Sequence, residues 1–225
     1  MISWEPWDSW QGGVDQPAYA LKRIVAGDHD ALIDRWARQI AGYRRPVMLR
    51  LAAEMNGDWR PWSTGVNGNG PGEYVGAWRH VRARFRRAHA NNAVWVWNPI
   101  VSYDGATALG ALFPGSTEVD WLAVDGYNWG SLRPWGWQSY ADIFAPTVRE
   151  LAQLGTGCRI RRSARRPGFR TRKFDAIERR LDGEVLELRE ISVELSVLNG
   201  RFGRPNCAVA GGVLLQLVAI LVTRG

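Results

Sequence analysis

The stretch Val47–Trp62, Val-Met-Leu-Arg-Leu-Ala-Ala-Glu-Met-Asn-Gly-Asp-Trp-Arg-Pro-Trp, decides how the rest of the chain is read. It is apolar from Val47 to Ala53 apart from Arg50, then breaks at Glu54 into Asn-Gly and a pair of tryptophans. Such a run reads as a buried parallel strand whose polar, glycine-containing end opens onto a functional rim. In strand geometry Met48, Arg50, Ala52 and Glu54 share one face, so a guanidinium and a carboxylate point the same way, with small alanines beside them. In a β/α barrel, catalytic groups stand at strand ends of this kind.

Working outward, Ile2-Ser3-Trp4-Glu5-Pro6-Trp7 reads as a strand end followed by an aromatic loop, since Pro6 stops further pairing. A polar loop follows. Asp28 is placed to cap a helix over residues 29–41, with Leu32, Ile33, Trp36 and Ile40 on one face and Gly42 and Pro46 after its end. Beyond the Val47–Ala53 strand comes a Gly/Asn-rich loop from Ser63 to Gly72, long enough to be functional. Glu73 to Ala90 is a second amphipathic helix, with Tyr74, Trp78, Val81 and Phe85 inward and Arg79, Arg82, Arg86 and Arg87 on a solvated face. Strands at 93–97 and 119–129 and a helix from Tyr140 to Leu154, with Ile143, Phe144, Val148 and Leu151 inward and a kink or late start at Pro146, complete the pattern. Strands alternating with helices predict an α/β fold: a parallel sheet with helices outside it, in about four β/α units.

The composition changes near Gly157. Residues 1–157 hold 15 Lys+Arg and 15 Asp+Glu, whereas residues 158–225 hold 14 and 7, so the tail supplies the entire net charge of +7. All 13 tryptophans lie at or before Trp137. Eight of the fifteen residues from Arg159 to Lys173 are basic, which repels compaction. Asp175 to Leu198 reads as helical, with Ile177, Leu181, Val185, Leu188, Ile191 and Leu195 three or four apart. The tail lacks the interleaved aromatics of a nucleic-acid module, and the arginines of the second helix belong to a neutral part, so no nucleic-acid partner is expected. Cys207–Val222, sixteen mostly apolar residues, is short of the roughly 20 needed to span a bilayer; the reading is a buried or aggregation-prone segment and no membrane partner. The chain opens with no signal peptide pattern. Two cysteines make neither a disulfide framework nor a metal site, and no cofactor is implied.

The strand ends repeat one chemistry. Glu5 lies between Trp4 and Trp7, Glu54 and Asn56 precede Trp59 and Trp62, Asn98 follows Trp97, and Asp125, Tyr127 and Asn128 precede Trp129. Flat rings stack on the C–H faces of pyranoses while amides, carboxylates and Arg50 bond the hydroxyls, so a polysaccharide is the partner these residues suit. Trp36, Trp78, Trp95 and Trp121 read instead as core.

These stretches, with Tyr74–Val81, Val94–Pro99 and Val119–Gly130, resemble glycoside hydrolase family 26, the β-mannanases and their relatives, in order and spacing over about residues 1–155. The resemblance implies part of a (β/α)8 TIM barrel, strands three to six, followed by an unrelated basic tail over residues 156–225. It implies a secreted, retaining hydrolase of internal β-1,4 bonds in mannan or another β-glycan. Glu54 is then the general acid/base and Tyr127 lies near the nucleophile; with the strand-end reading above, the expected substrate-binding residues are Trp4, Glu5, Trp7, Arg50, Asn56, Trp59, Trp62, Asn98, Asp125, Tyr127 and Trp129. Three departures accompany it: Ala53 stands where the family usually has His, the match starts at the third strand, and the nucleophile's strand, due soon after Gly155, reads Cys-Arg-Ile-Arg-Arg. The expectation is therefore a weak or inactive glycosidase, with a non-catalytic carbohydrate-binding remnant as the alternative and nucleic-acid binding through the basic tail as the least favoured one. The abrupt turn to arginine without a linker predicts a reading-frame change between about Leu154 and Arg162.

Overall fold

The computed structural model describes residues 1–155 and three tail segments, 179–181, 184–196 and 214–222. The apolar runs form four parallel strands in sequential order: β1 (Ile2–Trp4), β2 (Val47–Leu51), β3 (Ala93–Trp97) and β4 (Trp121–Asn128). Ile2 to Trp4 run beside Leu49 to Leu51, and Val47 to Arg50 beside Ala93 to Val96. The crossovers carry α1 (Leu21–Ala26), α2 (Asp30–Tyr43), α3 (Pro71–Arg87), the single turn α4 (Leu109–Leu112) and α5 (Tyr140–Gly155). Four consecutive β/α units of this kind are half of a β/α barrel.

Alternation along the strands sorts the side chains onto two faces. Trp4, Leu49, Leu51, Trp95, Trp97, Leu122 and Val124 pack with the helices in the main core, where Ile33, Ala37, Ile40, Tyr74, Trp78, Val81, Phe85, Phe144, Val148 and Leu151 are buried. The other face carries Met48, Val96, Trp121 and Ala123 in a small cluster, then Arg50 and Asp125 towards the carboxyl ends of the strands. Burying a side chain such as Phe144 or Leu151 contributes about 1.5–3 kcal/mol, so the helix face of the sheet dominates stability. Gly126 fits that face: a Cβ there would stand 2.7 Å from the Phe144 ring, so only glycine lets α5 approach β4.

Several boundaries differ from the sequence reading for identifiable reasons. Leu21–Ala26, read as loop, forms a six-residue helix closed by Gly27 at φ 96°. The residue preceding α2 is His29, whose side chain makes no capping bond, while Asp28 instead takes the Arg23 guanidinium at 2.9 Å. Gly42 lies inside α2, which ends at Tyr43 with Arg44 left-handed. Pro146 lies within α5 without delaying its start. The loop before α3 is held by Asn69, whose amide accepts from the Leu21 N–H and donates to Pro61 O. On α3, Arg79 bonds Pro114 O, and Arg82 and Arg86 pair with Glu118, so this basic face is engaged with its own chain.

In the tail, β5 (Arg179–Leu181), β6 (Glu184–Ser196) and β7 (Leu214–Val222) extend the sheet, β7 running antiparallel beside β4. The helix expected across Asp175–Leu198 is thus replaced by strand over residues 184–196. The same sequence also fits period two, Ile191, Val193 and Leu195 alternating with Glu190, Ser192, Glu194 and Ser196, and β7 supplies the pairing edge. The whole Arg159–Lys173 window and residues 207–213 lie outside the described residues, among which no helix is long and apolar enough to cross a membrane.

Candidate active site at the strand ends

β2 stops at Leu51, earlier than the apolar run suggests, because the backbone then turns through two left-handed non-glycine residues, Ala52 (φ 46°) and Glu54 (φ 58°). Such residues cost of order 1–3 kcal/mol each and persist only where their surroundings over-determine them. Here the Ala52 N–H bonds Trp4 O at 2.9 Å and the Glu54 N–H bonds Asn98 O at 2.8 Å, fastening the turn to β1 and to the end of β3. The strand-face expectation fails for Ala52, which joins the helix-side core, yet the turn still delivers Glu54 to the rim beside Arg50's network.

The Glu54 carboxylate is 4% exposed and both of its oxygens are engaged. Oε2 accepts the Trp59 indole N–H at 2.9 Å, Oε1 accepts the Tyr127 hydroxyl at 3.0 Å, and an Arg60 guanidinium nitrogen stands 3.6 Å away. Burial and the neighbouring Glu54 charge push the Tyr127 phenol well above its ordinary value, so it stays protonated and donates. Trp59 is 38% exposed, its ring lying 5.9 Å from Tyr103. Gly57 makes this placement possible, because a Cβ there would fall 2.5 Å from the indole.

A second layer lies beneath. Arg50 donates to Asp125 Oδ2 at 3.1 Å, to Ser3 Oγ at 2.8 Å and to Asn98 Oδ1 at 3.4 Å. Burial pushes the Asp125 carboxyl up to about 7, the Glu54 charge adding to the rise and Arg50 opposing it. Arg60 bridges the strand ends, 3.8 Å from Glu5, with its guanidinium 5.8 Å from the Trp7 ring and 5.6 Å from Trp62. Among the described residues no cluster of His, Cys, Asp or Glu could hold a metal ion.

The structure therefore gathers Glu54, Trp59, Tyr127, Arg50, Asp125, Asn98, Glu5, Trp7 and Trp129 around one rim. Three of the expected substrate-binding residues have their groups engaged within the chain. Trp62 is 1% exposed and gives its indole N–H to Ala53 O, so it supports the turn and offers no face to a sugar. Asn56 spends its amide on both backbone groups of Ile100, tying the loop after β2 to the one after β3. Trp4 belongs to the helix-side core, as its pairing with Leu51 requires. Sequence reasoning missed Arg60 and Tyr103; Arg60 sits between Trp59 and Trp62, where a cation between indoles was the available signal, whereas Tyr103 had none.

A buried carboxylate beside tryptophans thus stands at the strand ends of a half β/α barrel. The chain belongs to glycosyl hydrolase family 26, whose model matches residues 5–157. It is 37% identical over 162 residues to Endoglucanase H of Acetivibrio thermocellus, covering 68% of this chain and 17% of that one. It is 32% identical over 107 residues to β-1,3-xylanase TXYA of a Vibrio species, covering 46% and 22%. The chain thus spans about a fifth of the length of these curated relatives. Among solved structures it is similar to a family 26 β-mannanase from Bacteroides ovatus (21% identity, 48% of this chain, 34% of that one, TM-score 0.39). A mannanase from Bacillus subtilis is also similar (19% identity, 59% and 42%, TM-score 0.41).

Proposed function

We propose that this chain carries the acid/base half of a retaining glycosidase site for mannan or a related β-glycan, with Glu54 as general acid/base. The observation that supports it is the Glu54 carboxylate, buried, bonded through both oxygens and roofed by the half-exposed Trp59. A sugar stacked on Trp59 would hold its glycosidic oxygen beside Glu54, which protonates the leaving oxygen and later deprotonates the attacking water. Tyr127 and Arg60 fix the carboxylate's orientation, and Arg50 with Asp125 supplies bonds for ring hydroxyls. The relatives' names include an endoglucanase and β-1,3-xylanases, so mannan, mixed-linkage glucan and xylan all belong in the test.

Retention requires a second carboxyl about 5–5.5 Å from the first, acting as nucleophile. Asp125, tied to Arg50, and Glu5, close to Arg60, serve binding on this reading, and the nucleophile is encoded out of frame after about Leu154. The chain as written then turns over weakly or not at all, because losing one member of a catalytic pair costs several orders of magnitude. Release of reducing sugar from the three polysaccharides, wild type against Glu54→Gln, tests this. Ordinary turnover abolished by Glu54→Gln would reveal a nucleophile within the chain, and ordinary turnover unaffected by it would remove Glu54 from the mechanism. Translating the alternative frames from codon 154 tests the rest: neither yielding a β-run that ends in Glu within about fifteen codons refutes the frame change.

A further inference from the structure

The loop between β4 and α5, residues 129–139, keeps two indoles in water although it is held at both ends. Asn128 staples its base: Nδ2 donates to Gln138 O at 2.6 Å, and Oδ1 accepts from the N–H groups of Gly130 at 3.1 Å and Gln138 at 3.4 Å. Within the loop, Leu132 N–H bonds Trp129 O and Gly136 N–H bonds Arg133 O, both at 3.0 Å. On this fastened frame Trp135 is 57% and Trp137 75% exposed. Large apolar rings held in solvent by an ordered backbone mark a binding surface rather than a core. The rings are continuous with the site: Tyr127, bonded to Glu54, lies 5.7 Å from Trp129, and the Arg133 guanidinium stands 5.1 Å from Trp129 and 5.7 Å from Trp135. A planar cation between two indoles spaces them and presents N–H donors at their edges.

We propose that this loop is a distal glycan platform, on which Trp135 and Trp137 each take a sugar ring of the same β-linked chain whose reacting linkage lies at Glu54. The proposal rests on the glycosidase reading of the site. A β-glycan is the occupant because ring contacts lead from Tyr127 at Glu54 through Trp129 and Arg133 to Trp135, with the exposed Trp137 two residues on, and flat apolar faces beside guanidinium donors suit a pyranose chain with its C–H faces and equatorial hydroxyls. The platform makes binding depend on chain length. It adds nothing for a disaccharide at Glu54 and stacking energy at each ring for a longer chain.

The experiment is calorimetric titration of the full chain with di- and hexasaccharides of β-1,4-mannan, mixed-linkage β-glucan and β-xylan, comparing wild type, Trp135→Ala and Trp137→Ala. Both residues are solvent-exposed, and urea midpoints equal to wild type confirm that each variant folds. Each substitution is expected to weaken the hexasaccharide by about threefold to tenfold and the pair more, leaving the disaccharide unchanged. Hexasaccharide affinity equal to wild type in both variants overturns the platform while the Glu54 site stands. Equal weakening of both lengths also overturns it, since that places the two rings at the Glu54 pocket. A wild type that binds no saccharide of either length refutes the glycan reading of the site and the platform with it.

Discussion

Replacing Asp125 by Asn should abolish a pH-dependent loss of stability peculiar to this site. Asp125 is 1% exposed, faces Arg50 and Glu54, and its carboxyl rises from 3.8 to about 7, chiefly by burial. Because the folded value lies above the unfolded one, the native state holds the proton more tightly. The associated stability is fully present below about pH 4 and is lost as pH rises through about 7. A shift of about three units is worth about 4 kcal/mol in all, of which about 2.5 kcal/mol falls between pH 5 and pH 8. Asn retains a carbonyl for Arg50 but does not titrate. Urea denaturation of wild type and Asp125→Asn at both pH values isolates the interacting Asp125–Glu54 pair, since titrations elsewhere in the two proteins cancel. The wild type should lose about 2.5 kcal/mol relative to the variant between them. A difference independent of pH, or one of opposite sign, would refute the burial argument.

Asn56→Ala should lower stability by about 2–3 kcal/mol in urea denaturation, because it orphans the N–H and C=O of Ile100 in a buried setting. Gly57→Ala should leave the urea midpoint within experimental scatter of wild type yet weaken oligosaccharide binding about tenfold, since the new methyl displaces the Trp59 ring from Glu54. Tyr127→Phe should lower any measurable hydrolysis without changing the fold, as it removes one of the two close donors to Glu54.

Much of the architecture was legible because period and punctuation agreed: Tyr74, Trp78, Val81 and Phe85 recur at helical spacing and are all buried, and the strands at 47–51 and 93–97 are apolar runs interrupted only by Arg50. The Glu54 rim was readable only from its company, since a charged residue at one strand end is ordinary whereas tryptophans with carboxylates or amides recur at four of them. The turn that delivers it was not, since left-handed Ala52 and Glu54 are imposed by bonds to Trp4 and Asn98, residues distant in sequence. Tryptophans could be counted but not sorted: Trp59 and Trp62 share one motif, yet one roofs the site and the other supports it from below. The segment over residues 184–196 satisfies both periodicities, and only a pairing partner decides between them.

The most direct measurement is an X-ray structure of the chain soaked with a β-1,4-linked mannohexaose. A sugar ring stacked on Trp59, with a glycosidic oxygen within hydrogen-bond reach of Glu54, is the expected result. A hexasaccharide seated away from Glu54, or no bound sugar at saturating concentration, would contradict the assignment of this rim as a glycosidase site.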